Sequence, residues 1–200
     1  MQINITSDIK AAEKALGALK KQIPFAASVG INNTLKDIRK VEQAAIAREL
    51  DKPTRSTVRG IRYKGSTKRN LVGAVFIIPH IDKYLRYQIH GGKRKPRSRV
   101  EALPAQIKLN RYGNIPGRRQ GKLRKLAARK NTFSATIGGV AGLWQRAGSK
   151  GRRLKLLVAY EQHTQYKPKF RFYHHAEKTV VRRWPRNFNR AISRALKTAR

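Results

Sequence analysis

Between residues 52 and 200 this chain carries 39 Lys and Arg against four Asp and Glu. A folded surface normally interleaves the two signs. Here it cannot, because Asp82, Glu101, Glu161 and Glu177 are the only acids in that span. Residues 1–51 are different, with eight Lys/Arg and six Asp/Glu, so the formal net charge of +37 sits almost wholly in residues 52–200. Self-repulsion of this size opposes compaction. The composition therefore predicts a chain that is stable with polyanion, counterions or partner subunits around it. Its first quarter reads as ordinary protein surface, and the rest as surface built to face negative charge.

A core is still available. Two hundred residues with 40% hydrophobic content suffice for a single folded domain over 1–200. The absence of cysteine excludes disulfides and thiolate metal sites. The opening MQINITSDIK has neither a basic nor an apolar leader region, and no apolar run reaches the roughly 18 residues of a membrane span. The expectation is a protein made in a reducing cytoplasm, or kept in a particle assembled there, with no membrane partner.

Hydrophobic spacing gives an element order. Ser7 caps a helix over Asp8–Lys20, and Pro24 opens a second that reaches about Leu50. The second helix carries a stripe of Ile31, Leu35, Ile38, Val41, Ala45 and Ile46, with Lys36, Arg39, Lys40 and Glu42 on other faces. After Pro53 come one helical turn and a short strand. Leu71–Ile78 is apolar on both faces, the pattern of a central strand covered on both sides. Pro79 ends it. A long basic loop at about 91–121, punctuated by Gly and Pro, leads to a short basic helix over Lys122–Asn131. Phe133, Ala135 and Ile137 then alternate with polar residues, Gly138-Gly139 fits a two-residue hairpin turn, and strands follow over Val140–Arg146 and Leu154–Tyr160. Between those strands, Ala147–Arg153 forms a glycine-loosened cationic finger. A last helix, Phe172–Ala199, carries Ala176, Val180, Trp184, Phe188, Ile192 and Leu196 on one stripe, and Pro185 kinks or splits it. The predicted class is α+β: N-terminal helices, a central, mostly antiparallel sheet with the long basic loop, and a C-terminal kinked helix.

Catalytic chemistry finds little support. A two-metal site needs several neighbouring acids, and no phosphate-cradling glycine loop or nucleophile elbow is present. Glu161 and His163 could share one strand face as a nuclease pair, against the simpler reading of a polar strand end. His174 and His175 are adjacent on a helix and diverge. The expectation is no enzyme, no catalytic residue, no metal and no cofactor.

The unmixed positive charge is more specific. Lys93 to Lys130 holds fourteen Lys/Arg and one acid. Aromatics are too sparse there for a base-stacking platform, so contact with the phosphate backbone, indifferent to base sequence, is the simplest use. The candidate nucleic-acid-binding residues are Lys93, Arg94, Lys95, Arg97, Arg99, Arg118, Arg119, Lys122, Arg124 and Lys125, with Lys150, Arg152 and Arg153 of the finger.

A long amphipathic helix, the turn Pro53–Arg55, the stretch GLWQRAGSKGRRLKLL (Gly142–Leu157) and a closing aromatic helix together resemble the minor tail protein Z and tail-completion proteins of long-tailed bacteriophages. In that group a small residue, an aromatic, Gln-Arg and a Gly/Lys/Arg loop precede an apolar strand. Gly142, Trp144, Gln145, Arg146 and Gly148–Arg153 occupy these places. YQIHGGKRKPR (Tyr87–Arg97) and LNRYGNIPGRR (Leu109–Arg119) are similar to segments of phage neck and tail proteins. The chain departs from the group in having no proline between Leu156 and Lys167.

The resemblance implies a structural virion protein, forming a homo-oligomer ring with the six-fold symmetry of the tail at its head-proximal end. Its partners would be tail terminator, tail tube or head-tail connector proteins and phage DNA. It would reside in the virion after assembly in the host cytoplasm. The alternative is a sequence-independent nucleic-acid-binding protein of ribosomal or chromatin type. That alternative explains the charge equally well and the tryptophan-bearing meander less well.

Overall fold

A computed structural model of the chain describes residues 6–95, 100–116, 119–149 and 151–198. It is α+β, with helices α1 (Thr6–Glu49), α2 (Arg55–Arg59), α3 (Pro79–His90), α4 (Arg119–Ala127) and α5 (Phe172–Thr198). The strands are β1 (Ile61–Lys64), β2 (Ala74–Ile77), β3 (Gly92–Arg94), β4 (Glu101–Pro104), β5 (Thr132–Ile137), β6 (Val140–Ala147), β7 (Arg153–Glu161) and β8 (Thr164–Tyr166). The chain forms two compact units. The first comprises residues up to Glu49, Arg55–Lys83 and everything from Phe170; the second comprises Leu50–Thr54 and Tyr84–Lys169.

In the first unit α1 pairs with α5. Small side chains let the backbones approach: Ala26, Ala191 and Ala195 are buried together, flanked by Val29 and Ile192. A Cβ on Gly30 would stand 3.1 Å from the Phe188 Cα and 3.3 Å from the Trp184 ring. Polar groups buried in the seam are satisfied across it. Asn187 Nδ2 donates to Thr34 Oγ1 (3.2 Å) and Asp37 Oδ2 (3.0 Å), while the Thr34 hydroxyl donates to the Gly30 carbonyl (2.9 Å). Ser66, in the turn after β1, is held on α1 by Asn32, whose Oδ1 accepts its N–H at 2.8 Å and whose Nδ2 donates to its carbonyl at 3.0 Å.

Four expectations for this unit are corrected. First, α1 does not restart at Pro24 but runs through it, because Ala, Leu, Lys, Glu and Gln on its N-terminal side offer the backbone no competing turn. Second, the buried stripe of α1 takes in Glu42, with no exposed surface, and leaves Val41 37% exposed. Third, α5 is one helix across Pro185, not split there, and its buried line is Thr179, Asn187, Ala191 and Ala195 rather than Val180 and Leu196. The tight seam selects small side chains, which turns the helix by about one residue from its most apolar face. Fourth, only Ala74–Ile77 of the Leu71–Ile78 run is strand, in a two-stranded ribbon with β1 (Ile61 opposite Ile77). The ribbon has one face on α1, where Gly73 meets Leu35, and Leu71, Val72 and Phe76 remain exposed.

The second unit is built on an antiparallel sheet in the order β4-β7-β6-β5, beside a β3–β8 ribbon. Gly138 and Gly139, at φ 58° and 78°, close the β5–β6 hairpin as the sequence predicts, since both turn positions need positive φ. Leu126 of α4 packs with Leu143, Leu157 and Val158, so α4 covers one face of the sheet. The Thr132 hydroxyl donates to the Leu126 carbonyl at 2.6 Å and caps the end of that helix. A register shift at Leu143/Trp144 makes Leu157 an extra residue on β7, which lets Leu157 and Val158 both be buried. The expected loop at 91–121 is structured at both ends of its first half, by β3 and β4, each paired to a strand downstream. Sequence periodicity could not reveal strands of three and four residues. Pro79–His90, left unassigned by periodicity, is α3 with Pro79 at its first position.

Candidate nucleic-acid interface

The cations singled out from sequence lie in three places within the second unit. Lys93 and Lys95 are exposed and Arg94 half-buried on and beside β3, where Lys93 stands opposite Gln165 and Arg94 opposite Thr164. Lys122, Arg124 and Lys125 are exposed on α4. Arg152 and Arg153 are exposed at the finger. Arg97, Arg99, Arg118 and Lys150 lie outside the described residues, and Arg119 is described only as the first residue of α4.

The finger is shorter than the sequence suggests. Ala147 pairs with Arg153, so the strands extend inward and the loop is residues 148–152. Gly148 and Gly151 take positive φ (86° and 66°), and the Gly151 N–H donates to the Gly148 carbonyl at 3.2 Å. Trp144, behind it on β6, is half-buried and donates its indole N–H to the Ala135 carbonyl at 3.1 Å. Its polar atom is engaged within the sheet.

Of the predicted residues, Lys122 enters a formed concavity. A pocket of about 300 Å³ is floored by Ile107, Leu126 and Leu157 and ringed by Lys108, Lys122, Arg129 and Lys155, with Gln106 and Gln145. Among the described residues, four cations and no carboxylate line it. Lys155 was not singled out from sequence, because it sits alone in an apolar run; its register opposite Gln145 brings it to the helix.

A second concavity escaped the sequence reading altogether. The groove between α1 and α5, about 360 Å³, is lined by Lys36, Lys40, Arg183, Arg186, Arg190 and Arg194, with Asp37 as the one carboxylate among its described residues. The signal was present: Arg183, Arg186, Arg190 and Arg194 recur at helical spacing, and Lys36 and Lys40 are one turn apart. It lay on the polar side of two helices read only for their apolar stripes.

Two carboxylates of α1 are displaced from ordinary behaviour. Burial, assisted by the charge of Glu49, raises Glu42 from 4.5 to about 8, and neither of its oxygens has a hydrogen-bond partner. Burial would also raise Glu49, but the hydrogen bonds it accepts prevail and hold it at about 2. They come from the Arg171 backbone N–H (3.2 Å), His175 Nε2 (2.8 Å) and Arg48 (3.2 Å). Glu49 thus ties the end of α1 to the start of α5.

Glu161, the candidate nuclease carboxylate of the sequence, stands directly opposite Glu101 across the β4–β7 ladder. Among the described residues no group of three or more His, Asp or Glu could hold a metal ion. No described helix is long and apolar enough to cross a membrane. Comparison with protein-family models, curated proteins and solved structures gives no match.

Proposed function

We propose that this chain is a structural, non-catalytic protein that holds DNA by its phosphates, and that it serves as a tail-completion or neck component of a long-tailed phage. The observation that carries the DNA reading is the pocket beside α4, where Lys108, Lys122, Arg129 and Lys155 converge with no carboxylate among the lining residues. Cations gathered in one concavity are relieved by an anion, and backbone phosphates supply anions without base discrimination. The exposed finger cations, Arg152 and Arg153, extend the same chemistry.

The virion reading rests on the sequence resemblance and is supported by exposed apolar residues. Val72 is 73% and Val181 77% exposed, with Leu71, Phe76, Tyr173 and Val180 also open. The adjacent pairs Leu71-Val72 and Val180-Val181 offer apolar contact to a neighbouring subunit of a ring. It favours the ring over the ribosomal or chromatin-type alternative, which needs the cations and not the apolar surface.

Binding to a random-sequence duplex, measured against salt, tests the DNA reading. Log affinity should fall with log salt at a slope near −0.9 per neutralised phosphate. Replacing Lys150, Arg152 and Arg153 together by Ala should flatten it by at most about three units and weaken all sequences alike. An unchanged slope removes the finger from the interface. Reconstruction of a particle containing the chain tests the ring, and monomers on an assembled tail would overturn it.

A further inference from the structure

We propose that the groove between α1 and α5 is a second binding site for a nucleic-acid phosphate backbone, separate from the cations of the second unit. The proposal rests on the reading that this chain binds nucleic acid, and it adds a site built from other elements.

The arrangement of charge is the first argument. Arg183, Arg186, Arg190 and Arg194 stack along α5 at intervals of three, four and four residues and face Lys36 and Lys40 of α1 across the groove. Like charges at these intervals destabilise a helix. Asp37 is the one carboxylate among the lining residues, and its Oδ2 already accepts from Asn187 Nδ2 at 3.0 Å. Lys36, Lys40, Arg183, Arg186 and Arg190 around one carboxylate are relieved by an anion brought from outside.

Shape and lining select the anion. At 1.5 Å per residue the arginine row is about 16 Å long. One DNA strand presents a phosphate every 3.4 Å or so of helix axis, so the row spans about five phosphates. A single small phosphate would leave most of the cations unmatched. Arginine clusters also take acidic peptide motifs, but the length of the row, and an apolar lining of Val29 and Ala191 alone, favour a regularly repeated phosphate backbone. Guanidinium forks match phosphate oxygens bidentately, and four of the six cations are arginine.

Pairing of α1 with α5 creates the site. Lys36 and Lys40 belong to the near-neutral first quarter of the chain and acquire a cationic neighbourhood only through α5.

The test compares the wild-type chain with a groove variant, Lys36→Gln/Lys40→Gln/Arg186→Gln/Arg190→Gln, and a second-unit variant, Lys122→Gln/Arg152→Gln/Arg153→Gln. The probe is a fluorescein-labelled random-sequence duplex of about 20 base pairs, titrated from about 0.05 to 0.3 M NaCl, with polyglutamate as competitor. The groove variant should bind at least about tenfold more weakly at about 0.1 M salt, with its slope reduced by up to about 3.6. Each variant should retain part of the binding, and polyglutamate should compete poorly. A groove variant with wild-type affinity and slope, beside a weakened second-unit variant, overturns the proposal. Polyglutamate displacing the duplex from wild type but not from the groove variant assigns the groove to acidic protein and overturns it too. Wild type that fails to bind duplex removes the broader DNA reading and the groove site with it. Should the groove variant misfold by circular dichroism, acetylation of wild-type Lys36 and Lys40 decides: protection by duplex supports the site, and equal labelling with and without duplex sinks it.

Discussion

Glu42 and Glu49 stand two turns apart on one face of α1, and their surroundings drive the two carboxyls in opposite directions, to about 8 and about 2. The difference lies in partners. Glu49 accepts from α5, whereas Glu42 is enclosed with none.

The Glu42 carboxyl makes stability fall as pH rises from 4.5 to about 8. Across that window the unfolded chain has released the proton and the folded chain keeps it, so the folded state is disfavoured by up to about 1.4 kcal/mol per pH unit. Glu42→Gln removes the proton from the balance. Urea unfolding at about pH 5, 6.5 and 8 should show the variant more stable than wild type at the highest pH, with a flatter profile. Parallel profiles for the two proteins would contradict the assignment.

Glu49 acts on the other side. Its lowered value stabilises the fold above 4.5, and that contribution is lost as pH falls towards 2. Glu49→Gln should cost about 2–3 kcal/mol near neutral pH through the weakened bonds to Arg171 and His175, and its acid-unfolding limb should be shallower than wild type. Thermal melts from strongly acidic to neutral pH would read both effects.

Gly142 has no room for a side chain. A Cβ there would collide with the Val158 carbonyl oxygen and stand 2.7 Å from Leu156 Cδ1. Backbone cannot retreat within a hydrogen-bonded ladder, so Gly142→Ala should destabilise by about 1–3 kcal/mol. Gly17, helical with open space about it, supplies the contrast, and Gly17→Ala should stabilise by up to about 1 kcal/mol. Chemical denaturation of both variants checks the pair.

Trp144 is structural in this fold. Trp144→Phe keeps most of the packing and loses the bond to Ala135, so it should cost about 1 kcal/mol. Its duplex affinity should equal wild type. A fall in affinity with unchanged melting would instead make the indole a contact for the bound nucleic acid.

How much of this was legible in the sequence depended on whether local pattern or tertiary contact decides. The β5–β6–β7 meander was readable because alternation at Phe133, Ala135 and Ile137, and the pair Gly138-Gly139, are local constraints. The inward face of α5 was not. Its packing partner Gly30 excludes bulk near Phe188, so Asn187 and Ala191 take the buried line over larger neighbours. The charge of Glu42 predicts an outer face, yet its place between Ile38 and Ile46 on the helix buries it. The groove required knowing that α1 and α5 are neighbours, which no spacing within either helix can state.

Asn187 and the Thr34 and Asp37 groups it serves are separated by 153 and 150 residues of chain. During synthesis at about 5–20 residues per second, α1 must therefore wait roughly 8 to 30 seconds for the helix that covers it. The second unit, drawn wholly from chain made in that interval, can close first. A nascent chain halted before Asn187 would own the finger and the pocket beside α4, but neither a closed seam nor a groove. Synthesis of α5 is thus the event that matures the first unit, and products truncated before it carry an uncovered helix for quality-control machinery to find.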